Sequence, residues 1–84
     1  MIRGLLMDGS RVKTLRKRLG LTEAQMGRVL RLKPANAFKT IQNIESGEVP
    51  VSGPMSLAVE AMESGWRPDD YEANIASAKA AQPR

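Results

Sequence analysis

Residues 19 to 47 constrain the fold more than any other part of the chain, because they contain start and stop signals for two short helices. Thr22 followed by Gln25 is typical of a capping box, in which the two side chains satisfy free amides at a helix start. Pro34 disfavours helical geometry at the residue before it, so this helix should end near Arg31. The apolar residues at helical spacing between these signals are Met26, Val29 and Leu30.

A second short helix is predicted to follow and to end at Gly47, which suits a left-handed cap. Its start fits two positions: Asn36 as the N-cap, which we favour, or Pro34 at the first helical position. Gly27 lies inside the preceding helix, where glycine costs about 1 kcal/mol relative to alanine, so a close contact between the two helices is expected. The apolar stripe of the second helix recurs every third residue, as Phe38, Ile41 and Ile44.

The rest of the surface of this second helix is polar, and consists of Lys39, Thr40, Gln42, Asn43 and Ser46. Asn and Gln side chains both donate and accept hydrogen bonds and match an adenine edge, while Lys donates to guanine or to phosphate. No acid lies between Glu23 and Glu45. A polar helix face is most often only solvated. Its assignment to nucleic-acid binding therefore depends on the surrounding charge.

That charge is distributed unevenly along the chain. The net charge is +4, but residues 1 to 44 contain ten Lys or Arg against two acids, whereas residues 45 to 84 contain three against seven. The basic half contains the polar helix face, as expected of a protein that binds nucleic acid with one side only. Solubility alone is the plainer explanation of a basic surface, and we favour it less.

The composition excludes several classes of function. The 84 residues suffice for one domain, with a core at about 8–66, and leave no room for a separate catalytic domain. The chain has no Cys and no His, which removes thiol and imidazole chemistry and nearly every transition-metal site. We expect no enzyme activity, no cofactor and no metal. Apolar runs too short for a bilayer, and the lack of a secretory segment, predict a cytoplasmic protein without membrane contact.

One more helix is predicted before this pair and one after it. The first begins at Asp8 or Ser10, and its buried stripe consists of Val12, Leu15 and Leu19. The other begins near Pro54 after a turn-rich connector and stops at Gly65. Its inner face is predicted to consist of Leu57, Ala58, Ala61 and Met62.

The end of the chain carries a tryptophan and a last helix. Trp66 is expected to seal the core, with an anchor for a protein partner as the alternative. A helix is predicted at about 68–81, because acids are favourable at its start. Its narrow apolar stripe consists of Tyr71, Ile75 and Ala78. The stripe predicts a dimerisation surface or, nearly as well, a frayed tail that packs on its own monomer.

The chain resembles the lambda-repressor-like (Cro/C1, XRE) helix-turn-helix family over roughly residues 11 to 62. The features that carry the resemblance are Arg16 in the first helix, the helix start Leu21-Thr22, and Glu45-Ser46-Gly47 at the end of the second helix of the pair. Two features depart from the family pattern. The turn before Ile41 is about four residues longer, and Arg31 stands where the family commonly has Gly.

The resemblance implies an all-α fold, a four- to five-helix lambda-repressor-like DNA-binding domain with a helix-turn-helix. In such a domain the residues expected to read bases are Asn36, Lys39, Thr40, Gln42 and Asn43. Those expected to contact phosphate are Arg11, Thr22, Arg28, Lys33 and Ser46. Arg16 and Glu45 are expected to form a structural ion pair, and Tyr71, Ile75 and Ala78 to serve dimerisation.

The implied function is sequence-specific transcriptional regulation. A homodimer would bind double-stranded DNA at an inverted repeat in a promoter, as a repressor or autorepressor. Small regulators of phages and mobile elements, such as Cro-like and anti-CRISPR-associated proteins, are the analogy. The alternative is an antitoxin that binds a toxin partner with its acidic half and represses the shared operon with its basic half.

Overall fold

This computed structural model describes residues 7 to 81, which contain five α-helices joined by turns and no strands. The helices are α1 (Gly9–Leu19), α2 (Glu23–Val29), α3 (Ala37–Ser46), α4 (Gly53–Glu63) and α5 (Tyr71–Ala81). The all-helical class predicted from the sequence is therefore confirmed. Within the described range, no helix combines the length and the apolar character needed to cross a membrane.

The helix starts follow the predicted capping residues. Asp8 caps α1, and its Oδ1 accepts a hydrogen bond from the Ser10 amide at 3.1 Å. The capping box of α2 is complete: Thr22 Oγ1 accepts from the Gln25 amide at 3.1 Å, and Gln25 Oε1 accepts from the Thr22 amide at 2.9 Å. The N-cap of α3 is Asn36, the favoured position, although its side chain makes no capping hydrogen bond. Local signals thus determine where these helices begin.

The core forms where α2 packs against both α3 and α5, while α1 packs against α3 and α4. The largest side chains that are fully buried are Val12, Leu15, Met26, Ile41, Val59 and Met62. Every helix from α1 to α4 contributes to this set, so the short α2 and α3 are held by tertiary packing. That packing is required, because isolated helices of this length are marginal in water.

The predicted apolar stripe of α3 is wrong at its first residue. Phe38 is 50 % exposed, whereas Ala37, Ile41 and Ile44 are buried. A spacing of three residues drifts by about 60° per step around a helix, so Phe38, Ile41 and Ile44 cannot all face one side. Ala37, at i, i+4 and i+7 with the two isoleucines, does share their face. The aromatic ring is therefore turned outward.

The predicted inner face of α4 is wrong at Leu57 and confirmed at Met62, and the predicted core position of Trp66 is wrong. Leu57 is 68 % exposed, and the buried residues of α4 are Ser56, Val59 and Met62. Ser56 is tolerated inside because its hydroxyl donates to the Gly53 carbonyl at 2.7 Å. Trp66 is 51 % exposed and lines a shallow groove of about 120 Å³ beside Ala58 and Pro68. The core at this end is closed by smaller residues.

The C-terminal helix packs on its own chain. Ala78 is buried, and Tyr71 and Ile75 pack against the core beside α2. Tyr71 and Ile75 remain half-buried, so their part in dimerisation stays a prediction, whereas Ala78 is not accessible to a partner. The alternative, packing on its own monomer, is the arrangement observed. The weak apolar stripe was sufficient for a contact with α2.

Candidate nucleic-acid interface

The candidate site consists of α2, the turn that follows it, and α3. α2 ends with Leu30 as its C-cap, and the Leu32 amide then donates to the Gly27 carbonyl at 2.9 Å. The longer turn predicted from the sequence is compact, since the Asn36 amide donates to the Lys33 carbonyl at 3.1 Å. Arg28 also closes this turn, because its Nη1 donates to the Leu32 carbonyl. The start of α3 is thus tied to the end of α2.

The close contact predicted at Gly27 is present. A Cβ atom at this residue would lie 2.6 Å from the Ala37 Cβ and 2.8 Å from the Ala37 carbonyl oxygen. Both distances are far below van der Waals contact, so no larger residue fits unless the backbone of α3 moves. Gly27 and Ala37 therefore fix how closely α2 and α3 approach each other, and with it the side of α3 that faces solvent.

Arg31 adopts a left-handed conformation with φ 67°, and it is the only described non-glycine residue with a positive φ. This conformation costs roughly 1–2 kcal/mol for a residue with a Cβ atom. The side chain pairs with Asp70 at the start of α5, at 3.1 Å between Nε and Oδ2. This is the position at which the resembling family commonly has Gly. Arg31 thus adopts the left-handed backbone conformation of a glycine, while its side chain links the turn to α5.

The outward side of α3 brings together most of the residues predicted to read bases. Asn36, Lys39 and Gln42 are exposed, and Thr40 and Asn43 are half-buried. Exposed Phe38 lies among them, which the sequence pattern did not predict. Counting from Ala37 with a period of 3.6 would have identified it. The resulting face has amide, ammonium, hydroxyl and aromatic groups within one helix of ten residues.

The single acid of α3, Glu45, has its side chain buried in an ion pair. Glu45 accepts two hydrogen bonds from Arg16 of α1, one from Nε to Oε2 at 2.7 Å and one from Nη2 to Oε1 at 3.0 Å. The side chains are 12 % exposed for Arg16 and 5 % for Glu45, and Arg16 Nη1 also donates to the Leu21 carbonyl at 3.1 Å. The predicted structural ion pair is therefore present. The hydrogen bonds to Glu45 raise the pKa of Arg16 above its usual value.

Both arginines predicted to contact phosphate form hydrogen bonds within the protein. Arg11 makes a bidentate pair with Glu63 of α4, with distances of 2.9 and 2.8 Å from Nε and Nη2. Its hydrogen bonds hold the pKa of Glu63 below the usual value for a carboxyl group. Arg28 is half-buried against the turn described above. The Arg11 guanidinium is thus paired with an acid, whereas that of Arg28 is held by a backbone carbonyl.

The other residues predicted to contact phosphate have different surroundings. Lys33 is exposed in the turn. Thr22 is half-buried at the start of α2, where its hydroxyl serves the capping box. Ser46 is exposed, and its hydroxyl donates to the Asn43 carbonyl at 3.0 Å. Of the three, Lys33 is the side chain whose charge is available on the surface.

Lysines supply most of the available positive charge, together with Arg18, which is exposed and forms none of the three ion pairs of the described residues. Within residues 7 to 78, the side chains of Lys13, Lys17, Lys33 and Lys39 are exposed and form no ion pair. Each of the three ion pairs in this range joins an arginine of the basic half to an acid of the acidic half. The uneven charge distribution therefore serves folding as well as the surface, and the arginine-rich composition overstates the free charge.

Comparisons of the chain with protein-family models, curated proteins and solved structures found no match.

Proposed function

We propose that this protein is a sequence-specific DNA-binding transcriptional regulator of the lambda-repressor-like (XRE) helix-turn-helix type. In this proposal α2 and α3 are the two helices of the helix-turn-helix, and α3 is the recognition helix. It is a repressor that occupies an inverted repeat in a promoter as a homodimer and so excludes the polymerase. The resemblance of the sequence motifs and the arrangement of the five helices both support this assignment.

One observation carries the proposal: the exposed face of α3 has hydrogen-bonding groups and no unpaired acid. Lys39 and Gln42 are exposed, whereas the only carboxylate of the helix, Glu45, is held by Arg16. An unpaired carboxylate here would repel phosphate, and its neutralisation leaves a face that matches base edges in the major groove. An ordinary solvated helix face needs no such separation of its charges.

The docking follows from the placement of these groups. The N-terminal part of α3 enters the major groove, where the side chains of its first turns reach base edges. Lys33 in the preceding turn lies close enough in sequence to meet the flanking backbone phosphates, which position the helix without reading sequence. Two copies related by a two-fold axis then contact half-sites about one helical turn apart. The dimer contact does not use Ala78, because that side chain is buried within the chain.

The proposal is tested by measuring DNA affinity for a preferred duplex and for random duplex DNA. Lys39→Ala should weaken binding to the preferred duplex much more than binding to random DNA. Lys13→Ala is the matched control, because it removes the same charge from an exposed position on α1. It should change both affinities by the same small factor. If both variants affect both DNAs alike, α3 does not read sequence.

A second function, that of an antitoxin, is favoured by a separate observation on the acidic half. Leu57 and Trp66 are large apolar side chains that are exposed on and next to α4. Exposed apolar side chains that form one patch mark contact sites for another protein. In this candidate function they contact a toxin encoded by a neighbouring gene. Co-expression with that gene product should give a complex that Leu57→Glu disrupts, and separate elution of the two chains would reject the idea.

A further inference from the structure

Phe38 is an exposed aromatic residue on the helix face that the proposed function places in the major groove. Half of its surface is accessible, and its neighbours on this face are Lys39 and Gln42, both exposed. The other large apolar residues exposed in the described chain, Val49, Leu57 and Trp66, all lie outside α3. Phe38 is therefore the one large apolar group on an otherwise polar reading surface.

The core does not need this phenylalanine. The buried side of α3 is formed by Ala37, Ile41 and Ile44, and Phe38 belongs neither to the core nor to the half-buried residues packed against it. Leaving an aromatic ring half-exposed forgoes hydrophobic stabilisation. The exposed half of the ring is therefore available for contact with a partner.

The position of Phe38 in the first turn of α3 suggests what it contacts. Residues at the start of a recognition helix approach base edges most closely. The major-groove edge is polar except at the 5-methyl group of thymine, and an apolar side chain such as Phe makes a favourable contact with that methyl group. A methylated cytosine presents its methyl group at the same place. The shared chemistry is thus the 5-methyl group of a pyrimidine.

We propose that Phe38 is a specificity-determining residue that contacts a pyrimidine 5-methyl group in each half-site, while Lys39 and Asn43 hydrogen-bond neighbouring bases. The inference rests on the proposed function, because it requires α3 to lie in the major groove. It adds a contact that hydrogen-bonding residues cannot supply: discrimination of thymine from uracil, or of methylated from unmethylated cytosine.

The test begins with the duplex that the wild-type protein prefers, in which each thymine is replaced in turn by deoxyuridine. This change removes one methyl group and leaves every hydrogen-bonding group in place. At the contacted position the wild-type affinity should fall about fourfold, the effect of burying one methyl group. In a second arm, methylation of each cytosine identifies a methylcytosine contact by an affinity gain of similar size.

The variant arm assigns the methyl effect to the phenylalanine. Phe38→Ala should be insensitive to the methyl group at that position, and Phe38→Leu should retain part of the effect. Leu57→Ala, which truncates another exposed apolar residue, should behave like the wild type. The inference is overturned if Phe38→Ala keeps the full methyl effect, or if no position in either arm shows one. If the wild-type protein prefers no duplex, the proposed function itself fails.

Discussion

Replacing Glu45 by alanine should destabilise the fold much more than the loss of an ordinary surface ion pair. The side chains of Glu45 and Arg16 are 5 % and 12 % exposed, and two hydrogen bonds of 2.7 and 3.0 Å join them. Without the carboxylate, the guanidinium keeps its hydrogen bond to the Leu21 carbonyl but remains largely removed from water. The folded state of the variant therefore contains a desolvated, unpaired charge, which lowers its stability.

Removing one partner of a buried pair costs about 3–5 kcal/mol, compared with ~0–1 kcal/mol for an exposed pair. Because Arg16 keeps some contact with water, we expect the lower end, about 3 kcal/mol. In a domain of this size 1 kcal/mol shifts the melting temperature by about 4–8 °C, so Glu45→Ala should lower it by roughly 12–24 °C. Thermal melts followed by circular dichroism measure this shift directly.

Glu63→Ala is the matched control for this measurement. The Arg11–Glu63 pair has the same bidentate geometry, but its side chains are 48 % and 25 % exposed. Its loss should shift the melting temperature by a few degrees at most. Arg16→Met should restore part of the stability of Glu45→Ala, because it removes the unpaired charge. Equal shifts for Glu45→Ala and Glu63→Ala would refute the claim that burial makes the Arg16 pair structural.

Three other outcomes are expected. Asn43→Ala should reduce the binding free energy by about 1–3 kcal/mol on the preferred duplex and by little on random DNA. Lys33→Ala should weaken binding to both DNAs alike and lower the salt dependence of binding. Equal losses for Asn43→Ala on the two DNAs would show that Asn43 reads no base. Gly27→Ala should destabilise the fold by about 1–2 kcal/mol in a thermal melt, because the steric overlap of the new methyl group with Ala37 outweighs the gain in helix propensity. An unchanged or higher melting temperature would contradict the close contact between α2 and α3. The stability difference between wild type and Glu63→Gln should be present at pH 7 and be lost as the pH falls through the lowered folded-state pKa of Glu63, because the hydrogen bonds from Arg11 favour the charged carboxylate. A difference that persists unchanged in acid would be inconsistent with this.

The helix boundaries were predictable because they depend on local chemistry. Asp8, Thr22 and Asn36 precede α1, α2 and α3 as expected, and Gly47 and Gly65 follow α3 and α4 in left-handed conformations. These residues act on backbone groups within a few positions, so the sequence around them contains the whole cause. The Gly27 contact was predictable for a similar reason, since a glycine inside a helix needs a packing explanation.

The orientation of side chains was less predictable, because it depends on which neighbours cover each helix. Leu57 was predicted to lie on the inner face of α4, but Ser56 is buried there instead, because its hydroxyl donates to a carbonyl within the helix. Trp66 is exposed because Met62 and Pro68 are the buried residues at that end. Gly9 shows the same limit, because it lies directly against the Ile44 backbone and no local signal indicated that contact.

The ion pairs divide in the same way. Arg16–Glu45 was expected because a family resemblance aligned the two residues, although 29 positions separate them. Arg11–Glu63 and Arg31–Asp70 join residues 52 and 39 positions apart, and nothing in their local sequence links them. As a result, two side chains predicted to contact phosphate, Arg11 and Arg28, are engaged within the protein, whereas Lys33 and Lys39, also predicted to contact DNA, remain exposed.

The central claim, that α3 reads DNA sequence, is tested most directly by selecting duplexes from a random library with the purified protein. The account predicts that the wild-type protein enriches one motif, made of two inverted half-sites about one helical turn apart. The double variant Lys39→Ala, Asn43→Ala should lose most of this enrichment while it still folds and binds DNA weakly. Enrichment of the same motif by both proteins, or of none by the wild type, would contradict the assignment of α3 as the recognition helix.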